Sequence, residues 1–206
     1  MFILYGGNRS PFVRRVAIWL TLQNQPFERR PTRLWGADFE SFVAINPVRR
    51  VPALTLPGGE HLIESAAIID YLEDIAPLDK RLIPPTGNAR RACMRGIAHA
   101  NAIAEKGVAL MYELERRPAR FLWPEYRDRV ATQLDSGLRA LEAMLPETGW
   151  LGGEVPNGGD IAAVVGYDFV STISGFARPL LPRLTALSAL ASAHDAFSLT
   201  YPTRTI

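Results

Sequence analysis

The chain has 206 residues, 48% hydrophobic and 21% charged, with a formal net charge of +2. Its length allows one large domain or two small ones, and its composition is that of an ordinary globular protein. The small net charge, with arginines scattered along the chain, makes no case for a nucleic-acid partner. No apolar run approaches the ~20 residues of a membrane-spanning helix. A lone cysteine, Cys93, excludes an intrachain disulfide framework. His61, His99 and His194 lack metal-ligand spacing, so no metal is expected. The opening Met1-Phe2-Ile3-Leu4-Tyr5 runs straight into strand-like sequence, without the basic start of an export signal. With the cysteine usage, this sets the expectation of a cytoplasmic protein.

Phe2–Tyr5 is a short β-prone run that the Gly6-Gly7-Asn8 cluster ends. Ser10 then suits a helix N-cap, and Pro11 suits the first helical position, where its missing N–H costs nothing. Val13, Val16, Ala17 and Leu20 recur at helical spacing, so this helix buries one face. A second strand is predicted from Phe27 to about Arg33, confined by Pro31 to an edge. The stretch from Trp35 to Ile45 is weakly helical. Ala53–Leu56, Pro57-Gly58-Gly59 and Glu60–Ile63 read as a hairpin, with the glycines at its positive-φ positions. Ser65–Ile75 is predicted helical, with Ile68, Ile69, Leu72 and Ile75 facing inward. Residues 1–76 therefore read as an α/β N-terminal domain of thioredoxin-like pattern.

The proline-bearing stretch 77–87 reads as a linker. Beyond it strand signals nearly vanish, and residues 88–206 are predicted to be an all-α helical-bundle domain. Asn88 to about Arg117 is one long helical stretch that Pro118 ends. Glu125–Leu145 is another, with Val130, Leu134, Leu138, Leu141 and Leu145 at spacings of three and four. Asn157, with Asp160 in the first turn, opens a mostly apolar and buried helix reaching Ile173. Pro179–Ala191 is the last clear helix, and the tail from Ser198 is predicted irregular.

Four elements stand out in this order: Ser10-Pro11-Phe12 with Arg15; Asn46-Pro47 leading to Val51-Pro52-Ala53-Leu54; Glu64-Ser65-Ala66-Ala67-Ile68-Ile69-Asp70-Tyr71-Leu72; and the Asn157-x-x-Asp160 helix start. With them the chain resembles the cytosolic glutathione transferase superfamily along essentially its whole length, in a bacterial-type form with serine at the catalytic position. That resemblance implies a thioredoxin-like glutathione-binding domain, a helical second domain, a homodimer and a role in detoxification. Glutathione would be the co-substrate and a small hydrophobic electrophile its partner, with neither nucleic acid nor membrane involved. The implied reaction is attack of the glutathione thiolate on an electrophilic carbon. Glutathione-dependent isomerisation or peroxide reduction on the same site is a second reading, and a non-catalytic protein-interaction module on the same scaffold is a third.

A free thiol has a pKa of about 8.5 and is mostly protonated at neutral pH, whereas the thiolate is the reactive form. Ser10 would donate one hydrogen bond to the sulfur, and the first-turn N–H groups would add the positive end of the helix dipole. Read locally, the same serine is simply a helix cap. Tyr5 is the fallback donor, its other reading being a half-buried strand aromatic. The resemblance further implies a cis Val51-Pro52 bond that turns the Val51 main chain toward the cysteinyl residue of glutathione. Arg50, or Arg49, would pair with the glycine carboxylate. Ser65, as the N-cap of its helix, would hold the γ-glutamyl carboxylate with a free N–H and hydroxyl, and Glu64 the ammonium group. Trp35 and Phe39 are placed at the edge of the thiol site or in the core. Asn101, Val108, Met111 and Tyr112 are placed at the electrophile pocket, with a core role as the alternative. Asp160 is assigned to helix capping, and Cys93 to a buried small apolar residue.

Overall fold

The computed structural model describes residues 1–32 and 37–202, without the side chains of residues 37–39. Trp35 and the side chain of Phe39 therefore lie outside the described residues. Two compact units emerge: Met1–Leu82 with His194–Ile206, and Ile83–Ala193.

In the first unit, strands β1 (Phe2–Tyr5), β2 (Phe27–Arg30), β3 (Ala53–Thr55) and β4 (His61–Ile63) form a sheet in the order β2-β1-β3-β4. β1 and β2 run parallel with Phe2 opposite Phe27. A parallel pair needs a crossover, supplied here by helix α1 (Pro11–Leu22). The remaining pairs are antiparallel, with Leu54 opposite both Leu4 and Leu62. β2 stops before Pro31 and lies at the edge of the sheet, where a residue without an N–H breaks no ladder. In the β3–β4 hairpin only Gly59, at φ +92°, takes a positive φ, whereas both glycines were expected to. Helix α2 (Ala37–Val43) brings Phe42 against Tyr5 and Ala53.

Helix α3 (Ser65–Ile75) has the predicted bounds and buries Ile68, Ile69 and Leu72. Ile75, expected inward, is 40% exposed because it ends the helix. α1 departs further from expectation. Val13, Val16, Ala17 and Leu20 are buried, but so are Arg14 and Arg15, because α1 packs against α3 and also against a short C-terminal helix, Asp195–Ser198. Two of its faces are thus covered.

The second unit contains α4 (Gly87–Met111), α5 (Pro124–Met144), α6 (Gly158–Val170) and α7 (Pro182–Ser192). α6 is buried along its whole length and packs closely on α4. That closeness depends on glycine: a Cβ on Gly107 would lie 2.9 Å from the Phe169 ring. α4 runs into a wide turn, Tyr112–Arg116, before Pro118. The chain then returns to the first unit through α8 (Asp195–Ser198), a single turn too short to show in sequence periodicity.

Candidate functional site

Gly6 closes β1 at φ +118°, a conformation open to glycine. A Cβ there would lie 2.5 Å from Val13 Cγ2 and 3.0 Å from Val51 Cβ. The missing side chain therefore lets the Val51 loop approach the start of α1.

Ser10 caps α1, its Oγ accepting from the Val13 N–H at 3.4 Å, with Pro11 next in the helix. The Ser10 N–H donates to the Gly7 carbonyl at 3.1 Å. Among the described residues its hydroxyl proton has no acceptor. The cap is thus half used: one lone pair holds the helix, and the O–H remains available to donate.

The approach to Val51 is set by Asn46, 2% exposed. Its Nδ2 donates to the Arg50 carbonyl at 2.5 Å, while Oδ1 accepts from the Val48 N–H at 2.9 Å. Arg49 follows at φ +61°, and the Val51-Pro52 bond is cis. Among the described residues the Val51 main chain makes no hydrogen bond. Arg50, Val51, Pro52 and Glu64 line one cleft with Phe12, Asn46, Val48 and Ile63, its empty space about 340 Å³ with the open mouth included. Ser10 and Ser65 are not among the lining residues. Ser10 begins the helix whose second residue, Phe12, forms a wall.

At α3 the cap is Glu64, not Ser65 as expected. Glu64 has φ +68°, which turns its carboxylate back over the helix end. Oε1 accepts from the Ser65 N–H at 2.9 Å and from the Ser65 hydroxyl at 3.3 Å. Ser65 is fully buried, and its Oγ accepts from Arg15 Nη2 at 2.5 Å. The Arg15 guanidinium also lies 5.6 Å from the centre of the Phe12 ring. A chain of contacts thus runs from the first turn of α1 to that of α3. Sequence reasoning noted the spacing of Arg15 from Ser10 but gave Arg15 no role, and it gave Asn46 none. Asn46 stands between Ile45 and Pro47, and Arg15 follows Arg14 inside an otherwise largely apolar helix, which is a weak local signal.

Residues 4–81 match the glutathione S-transferase N-terminal domain. The chain is also 30% identical over 207 residues to the maleylacetoacetate isomerase of Pseudomonas aeruginosa, which covers 97% of this chain and 95% of the relative. The chain belongs to the glutathione transferase superfamily. A glutathione S-transferase from Methylobacterium radiotolerans, solved in complex with glutathione sulfonate, is similar at 27% identity and a TM-score of 0.90, covering 100% of this chain and 97% of that one. One from Methylobacillus flagellatus, with glutathione bound, is similar at 25% identity and a TM-score of 0.87, over 98% of this chain and 100% of that one.

In this transferase-superfamily chain Tyr5 is committed to the sheet. It is 7% exposed, packs on Phe42, and its hydroxyl accepts from Arg30 at 3.4 Å and Thr55 at 3.5 Å. Val108 and Met111 are half-buried and Tyr112 is exposed, all three off the buried α4 face formed by Gly96, Ala100, Ile103, Ala104 and Gly107. Asn101 is half-buried, and Cys93 is fully buried. Asp160, fully buried, accepts the N–H groups of Asn157 at 2.9 Å, Leu151 at 2.6 Å and Gly152 at 3.0 Å. Burial pushes its carboxyl above the ordinary range, and those bonds oppose the rise. Among the described residues no group of three or more His, Cys, Asp or Glu is placed to hold a metal, and no helix is long and apolar enough to cross a membrane.

Proposed function

We propose that this chain binds glutathione in the cleft between Arg50 and Glu64, and that Ser10 stabilises the thiolate for attack on a small hydrophobic electrophile. The observation that carries the reading is the half-used cap of α1: Ser10 Oγ accepts from Val13 N–H and keeps its own proton to donate. A sulfur anion at that helix end gains an O–H donor and the helix dipole without a general base. The Val51 N–H and carbonyl, unbonded among the described residues, suit the cysteinyl main chain of the ligand. Arg50 suits its glycine carboxylate.

The α3 end supports the same reading. Glu64 places a carboxylate on the Ser65 N–H and hydroxyl, so these donors already serve an anion. The γ-glutamyl carboxylate would take them over as Glu64 turns to the ligand's ammonium group, leaving Arg15 to hold Ser65. A homodimer is part of this proposal, and sedimentation of the purified protein tests it. A pH series of bound-thiolate absorbance and turnover, for wild type and Ser10→Ala, tests the mechanism. A depressed thiol pKa that rises on losing the hydroxyl is expected, and superimposable curves would remove Ser10.

Similarity to a maleylacetoacetate isomerase over nearly the whole chain favours one second reading, glutathione-dependent isomerisation. There the thiolate adds to a conjugated cis double bond, the resulting single bond rotates, and elimination returns the thiolate with the trans alkene. Release of unmodified glutathione with a trans product would select this reading; a stable thioether product would select conjugation.

A further inference from the structure

Arg14 is the fourth residue of α1 and only 1% exposed. Its Nη2 donates to the Phe197 carbonyl at 3.3 Å and its Nε to Thr200 Oγ1 at 3.4 Å. The guanidinium also lies 5.5 Å from the centre of the Tyr201 ring. Thr200 is fixed in turn, its hydroxyl donating to the Ala196 carbonyl at 2.8 Å. These partners belong to the segment following α7, with Phe197 standing 183 residues along the chain from Arg14. A buried guanidinium is tolerated only where its donors are met, so this geometry is tightly specified.

The main chain carries the consequence to the site. The Arg14 N–H donates to the Ser10 carbonyl at 2.9 Å, closing the first helical turn. Arg14 thus grips the C-terminal segment with its side chain and the cap residue with its backbone. The next residue, Arg15, reaches α3 through Ser65. The first turn of α1 is therefore held from two sides.

Building on the reading of Ser10 above, we infer that Arg14 is a positioning residue for the thiol. By tying α1 to residues 196–201 it fixes where the Ser10 hydroxyl meets the sulfur. Ser10 touches only sulfur in this scheme, while Arg50, Val51, Glu64 and Ser65 grip the peptide. Loosening the tie should therefore leave glutathione binding in place and weaken the hydrogen bond to the thiolate. A role in folding alone would not move the thiol pKa.

The variants are Arg14→Met, Arg14→Lys, Thr200→Val and Tyr201→Leu, each with measured bound-thiol pKa, kcat, KM for glutathione, and Tm. Arg14→Met and Thr200→Val are expected to raise the bound-thiol pKa by about half to one unit, with kcat at low pH falling about three- to tenfold and KM nearly unchanged. Arg14→Lys keeps the charge but loses the fork, and should recover part of the effect. Tyr201 is half exposed, so Tyr201→Leu decides the matter if Arg14→Met fails to fold; it too should raise the pKa. A depressed thiol pKa in wild type that stays the same in folded Arg14 and Tyr201 variants overturns this inference alone. A wild-type bound thiol that titrates like free glutathione overturns both this inference and the Ser10 reading.

Discussion

The N-termini of α1 and α6 start from similar sequence signals and end in opposite states. At α6, Asn157 and Asp160 cap each other's main chain, and the buried Asp160 carboxylate also takes the N–H groups of Leu151 and Gly152. At α1, Ser10 accepts one N–H at 3.4 Å, is partly exposed, and keeps a free donor. The α6 cap is saturated and serves stability. The α1 cap is unsaturated and leaves capacity for a ligand. A filled cap offers a ligand nothing, whereas a half-used one keeps a donor, which is what the proposed role of Ser10 requires.

The largest expected effect lies at the saturated end. Asp160→Ala strands three main-chain donors and should cost about 3 kcal/mol or more in urea unfolding. Asp160→Asn retains one acceptor oxygen and should cost less. If Asp160→Ala unfolds like wild type, the distinction between the two caps collapses. Next is the α3 end, where Glu64→Ala should weaken glutathione affinity by about 1–3 kcal/mol, read by calorimetry. Equal affinity in both proteins would take Glu64 out of the site. At the unsaturated end, Ser10→Ala should raise the pKa of bound glutathione by about one unit, equivalent to about 1.4 kcal/mol, and cost only about 1 kcal/mol in unfolding, the loss of a single cap bond. A large stability loss there instead would make Ser10 a second saturated cap.

The smallest effect concerns Glu113, which accepts the Trp123 N–H at 3.1 Å and bonds Arg117 at 2.6 Å. The Trp123 N–H, with Arg117 helping, holds its carboxyl below the ordinary range. A depressed folded pKa contributes stability above the ordinary carboxylate range and loses it as pH falls through the folded value. Unfolding followed across acidic pH should therefore show a shallower decline in Glu113→Gln than in wild type, while bound-thiol titration stays the same.

Much of the fold was legible because local rules and tertiary packing agree. α3 has its predicted bounds, and the Asn157–Asp160 cap follows from spacing alone. The errors arise where a distant segment intervenes. The burial of Arg14 depends on residues near the C-terminus, which no window around α1 contains. At the site, Val51-Pro52 and Glu64 were visible as motif residues. The cap itself was misassigned by one position, because a positive φ at a glutamate has no sequence signal. Arg15 and Asn46 were passed over because their roles require knowing which main-chain atoms they reach.

The path of the chain has a consequence for its synthesis. The first unit draws on both termini, and Arg14 binds Phe197 and Thr200. While the C-terminal residues are still inside the ribosome, the nascent sheet and its helices lack that anchor. Ile83–Ala193 is therefore translated before the segment from His194 can complete the first unit.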